Sequence, residues 1–125
     1  MKLNKELMKG STGTMLLTLL NRQPLYGYEM LRELERRSEG VFSLKEGTLY
    51  PILHSMEAEG WVEAYWEAVN GRNRKYYRIT DTGSRVLKQK KTEWALFRNA
   101  VDSVIGAEFK RQAESSQSMG GGRFR

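Results

Sequence analysis

A chain of 125 residues is long enough for one compact domain and leaves no room for a second large module. Hydrophobic residues make up 39% and charged residues 29%, a composition that supports a folded core and excludes the disordered class. The formal net charge of +6 favours a polyanionic partner such as DNA, RNA or an anionic membrane surface.

The residue inventory also excludes several chemistries. There is no cysteine, so the chain has no disulfide, no thiolate metal site and no cysteine nucleophile. His54 is the single histidine, and no glycine-rich phosphate loop or pairing of nucleophile and base occurs. We therefore expect no enzyme, no metal and no cofactor. Without an apolar run of about 20 residues or a signal peptide, the chain is expected to be cytoplasmic.

The first half of the chain predicts helices. The first, from Leu3 to Leu20, ends in a run rich in leucine and is stopped by Pro24. The second, from Tyr26 to Ser38, carries apolar residues at helical spacing and is closed by Gly40.

A third helix is predicted from Ser43 to Glu59, and Ser43 and Glu46 have the spacing of a capping box. Its apolar residues recur at helical spacing: Leu49, Ile52, Leu53 and Met56. Pro51 removes one helical hydrogen bond, so we expect a kink or an irregular first turn. Two adjoining helices with a short link predict a helix-turn-helix.

The periodicity then changes to that of strands. Trp61 to Val69 and Arg72 to Thr80 are rich in aromatic and β-branched residues, and Asn70-Gly71 joins them. Asn-Gly is the strongest short hairpin signal, because both central residues of a type I′ turn need a positive φ. This hairpin is called the wing.

A last helix is predicted after the wing, with its N-cap in the segment Thr80 to Gly83. Apolar residues then follow at the spacing of a coiled-coil seam: Leu87, Trp94, Phe97, Val101 and Val104. A chain this short cannot bury such a seam alone, so we expect a homodimer. Beyond Gly106 the sequence becomes polar and rich in serine and glycine.

This order of elements predicts a mainly α protein with a small β-hairpin, an α+β winged helix-turn-helix with N- and C-terminal dimerisation helices. Residues 1–80 would form the winged helix-turn-helix, residues 81–106 the C-terminal dimerisation helix and residues 107–125 a flexible tail.

Four motifs occur in this order: LYGYEM at 25–30, EGTLYPIL at 46–53, EAEGWV at 57–62 and RKYYRITDTG at 74–83. Together they closely resemble the PadR family of bacterial transcriptional regulators, over about Met8 to Ile105. The resemblance implies a dimer held by its first and last helices that represses at a palindromic operator of double-stranded DNA. In many members a small aromatic or cationic compound releases the DNA.

The third helix supplies the first DNA-binding candidates: Lys45, Thr48, Tyr50 and His54. A lysine can neutralise a phosphate, hydroxyls can bind one, and a threonine methyl can pack on thymine. Two alternatives stay open: Tyr50 can pack between helix and wing, and His54 can be an ordinary surface histidine.

The wing supplies the remaining DNA-binding candidates: Arg72, Asn73, Arg74 and Lys75. With Arg78, residues 70–78 hold four cations and no acid, which suits phosphate binding or insertion into a narrow minor groove. The alternative is a solvated charge run that protects an edge strand from aggregation. Residues 29–67, by contrast, hold nine acids against four bases, so the helix-turn-helix itself is acidic.

In PadR-like dimers the region of Trp94 can form a flat hydrophobic pore between the subunits, so the resemblance implies that Trp94, with Phe97 and Leu16, is a candidate for stacking a planar aromatic effector. The alternative is that Trp94 only packs in the dimer core. For the whole protein, the predicted function is sequence-specific DNA-binding transcriptional regulation. The alternative is a winged helix that serves as a protein-interaction or RNA-binding module without an operator, since fold does not fix function.

Overall fold

The computed structural model describes residues 5–106, with side chains from residue 10 onward; the predicted tail at 107–125 lies outside the described residues. The helices are α1 (Lys5–Arg22), α2 (Gly27–Arg37), α3 (Glu46–Ala58) and α4 (Asp81–Val101), and a π-helical turn, Asp102–Gly106, follows α4. The strands are β1 (Leu25–Tyr26), β2 (Val62–Val69) and β3 (Arg72–Ile79). The chain divides into two units between Lys90 and Lys91.

The core of the first unit lies where α1, α2 and α3 meet the root of the wing. Its fully buried side chains come from every one of these elements: Leu16, Leu17, Met30, Leu49, Leu53, Val62 and Tyr77. The apolar spacing of the second and third helices therefore does mark their buried faces, as the periodicity predicts.

Two predicted interface residues belong to this core instead. Leu16 is 0% exposed and Leu87 is 2% exposed, and both pack in the same cluster of buried side chains. Leu16 is therefore not on a surface that an effector reaches, and Leu87 is not part of an open seam. A heptad pattern marks apolar positions, but it does not say which partner covers them.

The start of α3 differs from the prediction. The N-cap is Lys45, in extended conformation, and no side chain caps the helix there, so the proposed capping box of Ser43 and Glu46 is wrong. Pro51 stands inside the assigned helix, and the Lys45 carbonyl accepts hydrogen bonds from the N–H groups of Thr48 and Leu49, each at 3.0 Å. The helix is thus shorter than predicted at its N-terminal end.

The wing forms as its sequence predicts. β2 and β3 pair in antiparallel fashion, from Val62 opposite Ile79 to Val69 opposite Arg72. Asn70 has a φ of 53° and Gly71 a φ of 78°, as a type I′ turn requires. The short strand β1 was not predicted; it pairs with β3 and gives a three-stranded sheet in the order β1-β3-β2.

The beginning of α4 is fixed to the end of α3 and the root of the wing. The Gly83 N–H donates to Thr80 Oγ1 at 3.0 Å, which confirms the predicted cap, and the Thr80 hydroxyl donates to the Gly60 carbonyl at 2.6 Å. A Cβ at Gly83 would collide with the Trp61 carbonyl, so only glycine permits this close approach. The helix start and the strand start therefore share one junction.

Candidate nucleic-acid interface

The exposed side of α3 carries small or acidic residues. Thr48, Pro51 and Ser55 lie one turn apart on this side, and His54 is exposed beside them. Lys45 is exposed at the N-cap, and three glutamates are also exposed: Glu46, Glu57 and Glu59. Short side chains allow the backbone of a helix to approach the bases in a DNA groove closely. Among the exposed residues named here, only Lys45 has a full positive charge.

Tyr50 is placed differently from the other candidates on α3. It is half-buried against the core, and its hydroxyl lies over Gly27, where an added Cβ would collide with it. Burial raises the pKa of Tyr50. The contact that the structure shows for the hydroxyl is with Gly27 of α2, so Tyr50 packs within the fold and is not directed outward like Thr48 and His54.

The strand register divides the wing into two faces. The inner face shares the side of the buried Val62 and continues toward the turn through the pairs Ala64–Tyr77, Trp66–Lys75 and Ala68–Asn73. The outer face carries the pairs Glu63–Arg78, Tyr65–Tyr76, Glu67–Arg74 and Val69–Arg72. The four predicted wing candidates are therefore split: Asn73 and Lys75 are on the inner face, and Arg72 and Arg74 on the outer.

A chain of stacked groups covers the outer face. Arg74 Cζ lies 4.4 Å from the centroid of the Tyr26 ring, which contacts Tyr76 edge-on at 5.5 Å. Tyr76 stacks on Tyr65 at 5.7 Å, and Arg78 Cζ lies 4.7 Å from the Tyr65 ring centroid. Arg78 also forms an ion pair with a Glu63 oxygen at 2.8 Å. Arg74 and Arg78 therefore already have partners within the fold.

The other two wing cations, Arg72 and Lys75, have fewer partners within the fold. Arg72 is exposed next to the turn, and its side chain forms no hydrogen bond or ion pair within the part of the chain that the structure describes. Lys75 Nζ lies 5.6 Å from the centroid of the Tyr77 ring and has no carboxylate partner among residues 10–106. Both charges remain available to a phosphate.

The distal part of α4 carries the rest of the predicted seam. Trp94 is 48% exposed, Phe97 59% and Val104 75%, while Val101 is half-buried. The rings of Trp94 and Phe97 are neighbours, with their centroids 6.0 Å apart. Leu96 and Ile105 are exposed as well, so this segment presents a larger apolar surface than the heptad pattern alone predicts.

Sequence reasoning missed Trp66 and Tyr26. Trp66 is 67% exposed on the inner face of the wing, and Tyr26 joins Arg74 to the start of α2. The Asn70-Gly71 turn fixes which residues lie opposite each other, so counting back from it would have paired Trp66 with Lys75.

Comparison with known proteins relates this architecture to one family. The sequence profile of the transcriptional regulator PadR-like family matches residues 16–89, which include all of the helix-turn-helix and the wing. The chain belongs to this family of transcriptional regulators. This confirms the resemblance seen in the four motifs and the prediction that the protein is a regulator and not an enzyme.

Relatives of this PadR-like regulator support the same assignment. An uncharacterized protein of Lysinibacillus sphaericus is 35% identical over 98 residues, which are 78% of this chain and 90% of that protein. A transcriptional regulator from Clostridium thermocellum has a TM-score of 0.74 at 30% identity, covering 79% of this chain and 97% of the other. A PadR family transcriptional regulator from Eggerthella lenta has a TM-score of 0.69 at 32% identity, covering 80% and 86% of the two chains. The winged-helix fold is thereby confirmed.

Two further properties concern the described residues alone. Within residues 5–106 the helices are too short or too polar to cross a bilayer. Over the same range, no group of three or more His, Asp or Glu side chains is arranged to hold a metal ion.

Proposed function

We propose that this PadR-like regulator binds operator DNA, with α3 placed at the major groove and the wing on the flanking backbone or minor groove. The observation that carries the proposal is the pair of available cations on the wing, Arg72 and Lys75, beside a helix that exposes the short side chains of Thr48 and Ser55 one turn from Pro51. Phosphate contacts supply most of the affinity of such proteins, and base contacts supply the specificity.

The residues divide the work in this proposal. Thr48 and His54 face the bases, since they are exposed on α3, and Lys45 binds a phosphate at the N-terminus of the helix. Arg72, Asn73 and Lys75 contact the backbone from the wing. Tyr50 and Arg74 support these contacts from within the fold, because each already packs on another element.

The regulator acts as a homodimer in this proposal. The exposed apolar side chains of distal α4 favour self-association, because burying Trp94, Phe97 and Val104 removes a large apolar area from water. A two-fold dimer reads a palindromic operator, and its two wings double the number of phosphate contacts. Replacing Val101 by Asp places an unpaired charge in this interface and should dissociate the dimer in sedimentation at low concentration.

Repression with release by an effector completes the proposal. Trp94 and Phe97 offer neighbouring rings on which a planar aromatic compound can stack. Leu16 takes no part, since it is buried in the core. Tryptophan fluorescence of a variant that retains only Trp94, titrated with planar aromatics, tests this step; unchanged emission with every compound contradicts it.

A gel-shift titration against the DNA upstream of the regulator's own gene tests operator binding. We expect a shift at micromolar protein and about 0.1 M salt, and competition by a random duplex only at large excess. The absence of any shift under these conditions contradicts the proposal.

The acidic surface of α3 favours a second candidate, a protein-interaction or RNA-binding module. Glu46, Glu57 and Glu59 are exposed there, and carboxylates repel a phosphate backbone. Single-stranded RNA competing as well as the upstream duplex would support this candidate against operator binding.

A further inference from the structure

We propose that the inner face of the wing binds the backbone of one DNA strand, with the Trp66 indole packed on a deoxyribose and the Lys75 ammonium paired with the adjoining phosphate. This inference rests on the proposed operator binding and adds Trp66, a contact that neither the motifs nor the charge pattern predicts, beside the phosphate contact already proposed for Lys75.

The position of Trp66 is unusual for a tryptophan. Along β2 the inner face runs from the buried Val62 through the half-buried Ala64 to Trp66, which is 67% exposed. Within residues 10–106 its ring has no aromatic partner and no cation over it. The sheet therefore extends past the core and presents a large flat apolar ring on the side where the helices pack.

Lys75 places a positive charge beside the Trp66 ring. It stands directly opposite Trp66 on β3, and residues opposite each other in antiparallel strands have Cβ atoms about 5 Å apart. Val62 and Tyr77 of the same face are buried in one core with Leu49 and Leu53 of α3, so this is the face of the sheet on which the helices pack. Asn73, opposite Ala68, adds an amide nearer to the turn.

A nucleotide in a duplex presents the matching chemistry. Its deoxyribose edge is apolar and its phosphate is anionic, and the two are covalently adjacent, so an indole beside an ammonium is complementary to both. The outer face has cations as well, but there Arg78 is paired with Glu63 and Arg74 stacks on Tyr26. The inner face is the one on which an exposed apolar ring stands opposite a cation without a carboxylate partner among residues 10–106.

The first test uses the intrinsic fluorescence of the full-length dimer. The probe is a duplex of about 30 base pairs taken from upstream of the regulator's gene, with a random-sequence duplex of equal length as the second probe. We expect both duplexes to quench the wild-type emission, because a sugar-backbone contact carries no sequence information. The quenching should be largely lost in Trp66→Phe, and a variant that keeps the full quenching overturns the inference.

The second test compares affinities by fluorescence anisotropy of the labelled duplex. Trp66→Ala should weaken binding about tenfold without changing its salt dependence, and Trp66→Phe should keep most of the affinity. Lys75→Ala should lower the salt slope by about one phosphate equivalent. Because both side chains hold the same nucleotide, the double variant should lose less than the product of the two single effects.

Glu67→Ala is the matched control, since it is the next residue along β2 and points to the outer face. It should leave the tryptophan quenching unchanged. If the wild-type protein binds neither duplex, the proposed function itself fails. If it binds both and Trp66→Ala binds equally well, only this inference fails. A change of sedimentation coefficient in Trp66→Ala without DNA would assign the ring to a protein interface and also overturns it.

Discussion

The helix α3 and the wing belong to the same structural unit, yet they offer very different surfaces. The exposed side of α3 carries small residues and three glutamates, whereas the wing carries four cations between residues 70 and 78 and no acid in that stretch. A groove-reading helix needs close approach, and backbone binding needs charge. Close approach and charge are therefore supplied by different elements of this unit.

The two elements are also held in different ways. Leu49, Leu53 and Met56 of α3 are buried in the core, whereas the wing is buried only at its root, through Val62 and Tyr77. Changes at the buried positions of α3 should therefore alter the stability of the whole unit. Changes at exposed wing positions without a partner in the fold, such as Arg72, should alter binding and leave stability nearly unchanged.

The largest expected effect is a loss of stability from a substitution on the buried side of α3. Leu53→Ala should lower the free energy of unfolding by about 2–5 kcal/mol, because the removed methyl groups leave a cavity among fully buried neighbours. Urea unfolding followed by circular dichroism measures this loss. His54→Ala, on the exposed side of the same helix, should stay within about 0.5 kcal/mol of wild type. Equal midpoints for the two variants would contradict the described placement of α3.

The next effect concerns charge on the wing. Replacing Arg72 and Lys75 together by Ala should lower the salt slope of DNA binding by about two phosphate equivalents and weaken binding about tenfold or more near 0.1 M salt. Anisotropy titrations at several salt concentrations measure both. The double variant Arg36→Ala with Arg37→Ala removes the same charge from α2 and should change the slope less. Equal salt slopes for the two double variants would contradict the proposal that the wing, and not α2, carries the phosphate contacts.

A smaller effect is expected on the outer face. Arg74→Ala should lower the unfolding free energy by about 0.5–1 kcal/mol, because Arg74 stacks on Tyr26 at 4.4 Å. Tyr26→Leu should have a similar effect, and the double variant should lose less than the sum. Additive losses would show that the stacking does not couple the wing to the start of α2.

The smallest effect is a dependence on high pH. Because burial raises the pKa of Tyr50, the folded protein keeps this proton at a pH where the unfolded chain releases it. The corresponding stability is present below about pH 10 and is lost as the pH rises through the raised pKa. Urea midpoints between about pH 9 and pH 11 should therefore fall less steeply in Tyr50→Phe. An unchanged slope in this variant would contradict the burial of the hydroxyl.

Local chemistry explains what the sequence could predict. The type I′ turn follows from Asn70-Gly71, and the cap of α4 follows from Thr80, since in both cases the deciding atoms lie within three residues. The four-motif match placed the fold in its family for a different reason, because it spans most of the chain.

The predictions that were wrong or missing concern features that depend on residues far apart in the sequence. β1 has two residues, too few for a periodic signal. It forms because Leu25 pairs with Tyr77 of β3, which is distant in the sequence. Leu87 keeps the seam spacing, but the chain's own core buries it. At Ser43 the residue types fit a cap, but α3 begins only at Glu46. The side of the wing on which each cation lies depends on register, which pattern and composition alone do not reveal.

The junction at Thr80 has a mechanical consequence. The Thr80 hydroxyl accepts a hydrogen bond from the Gly83 N–H in the first turn of α4 and donates one to the Gly60 carbonyl. Gly83 also packs directly on the Trp61 carbonyl. No soft side chain separates the two backbones there, so a tilt of the first turn of α4 displaces the residue that leads into β2. The start of β2 and the first turn of α4 therefore move together, and a larger residue at position 83 would change the angle between them even where the rest of the fold is intact.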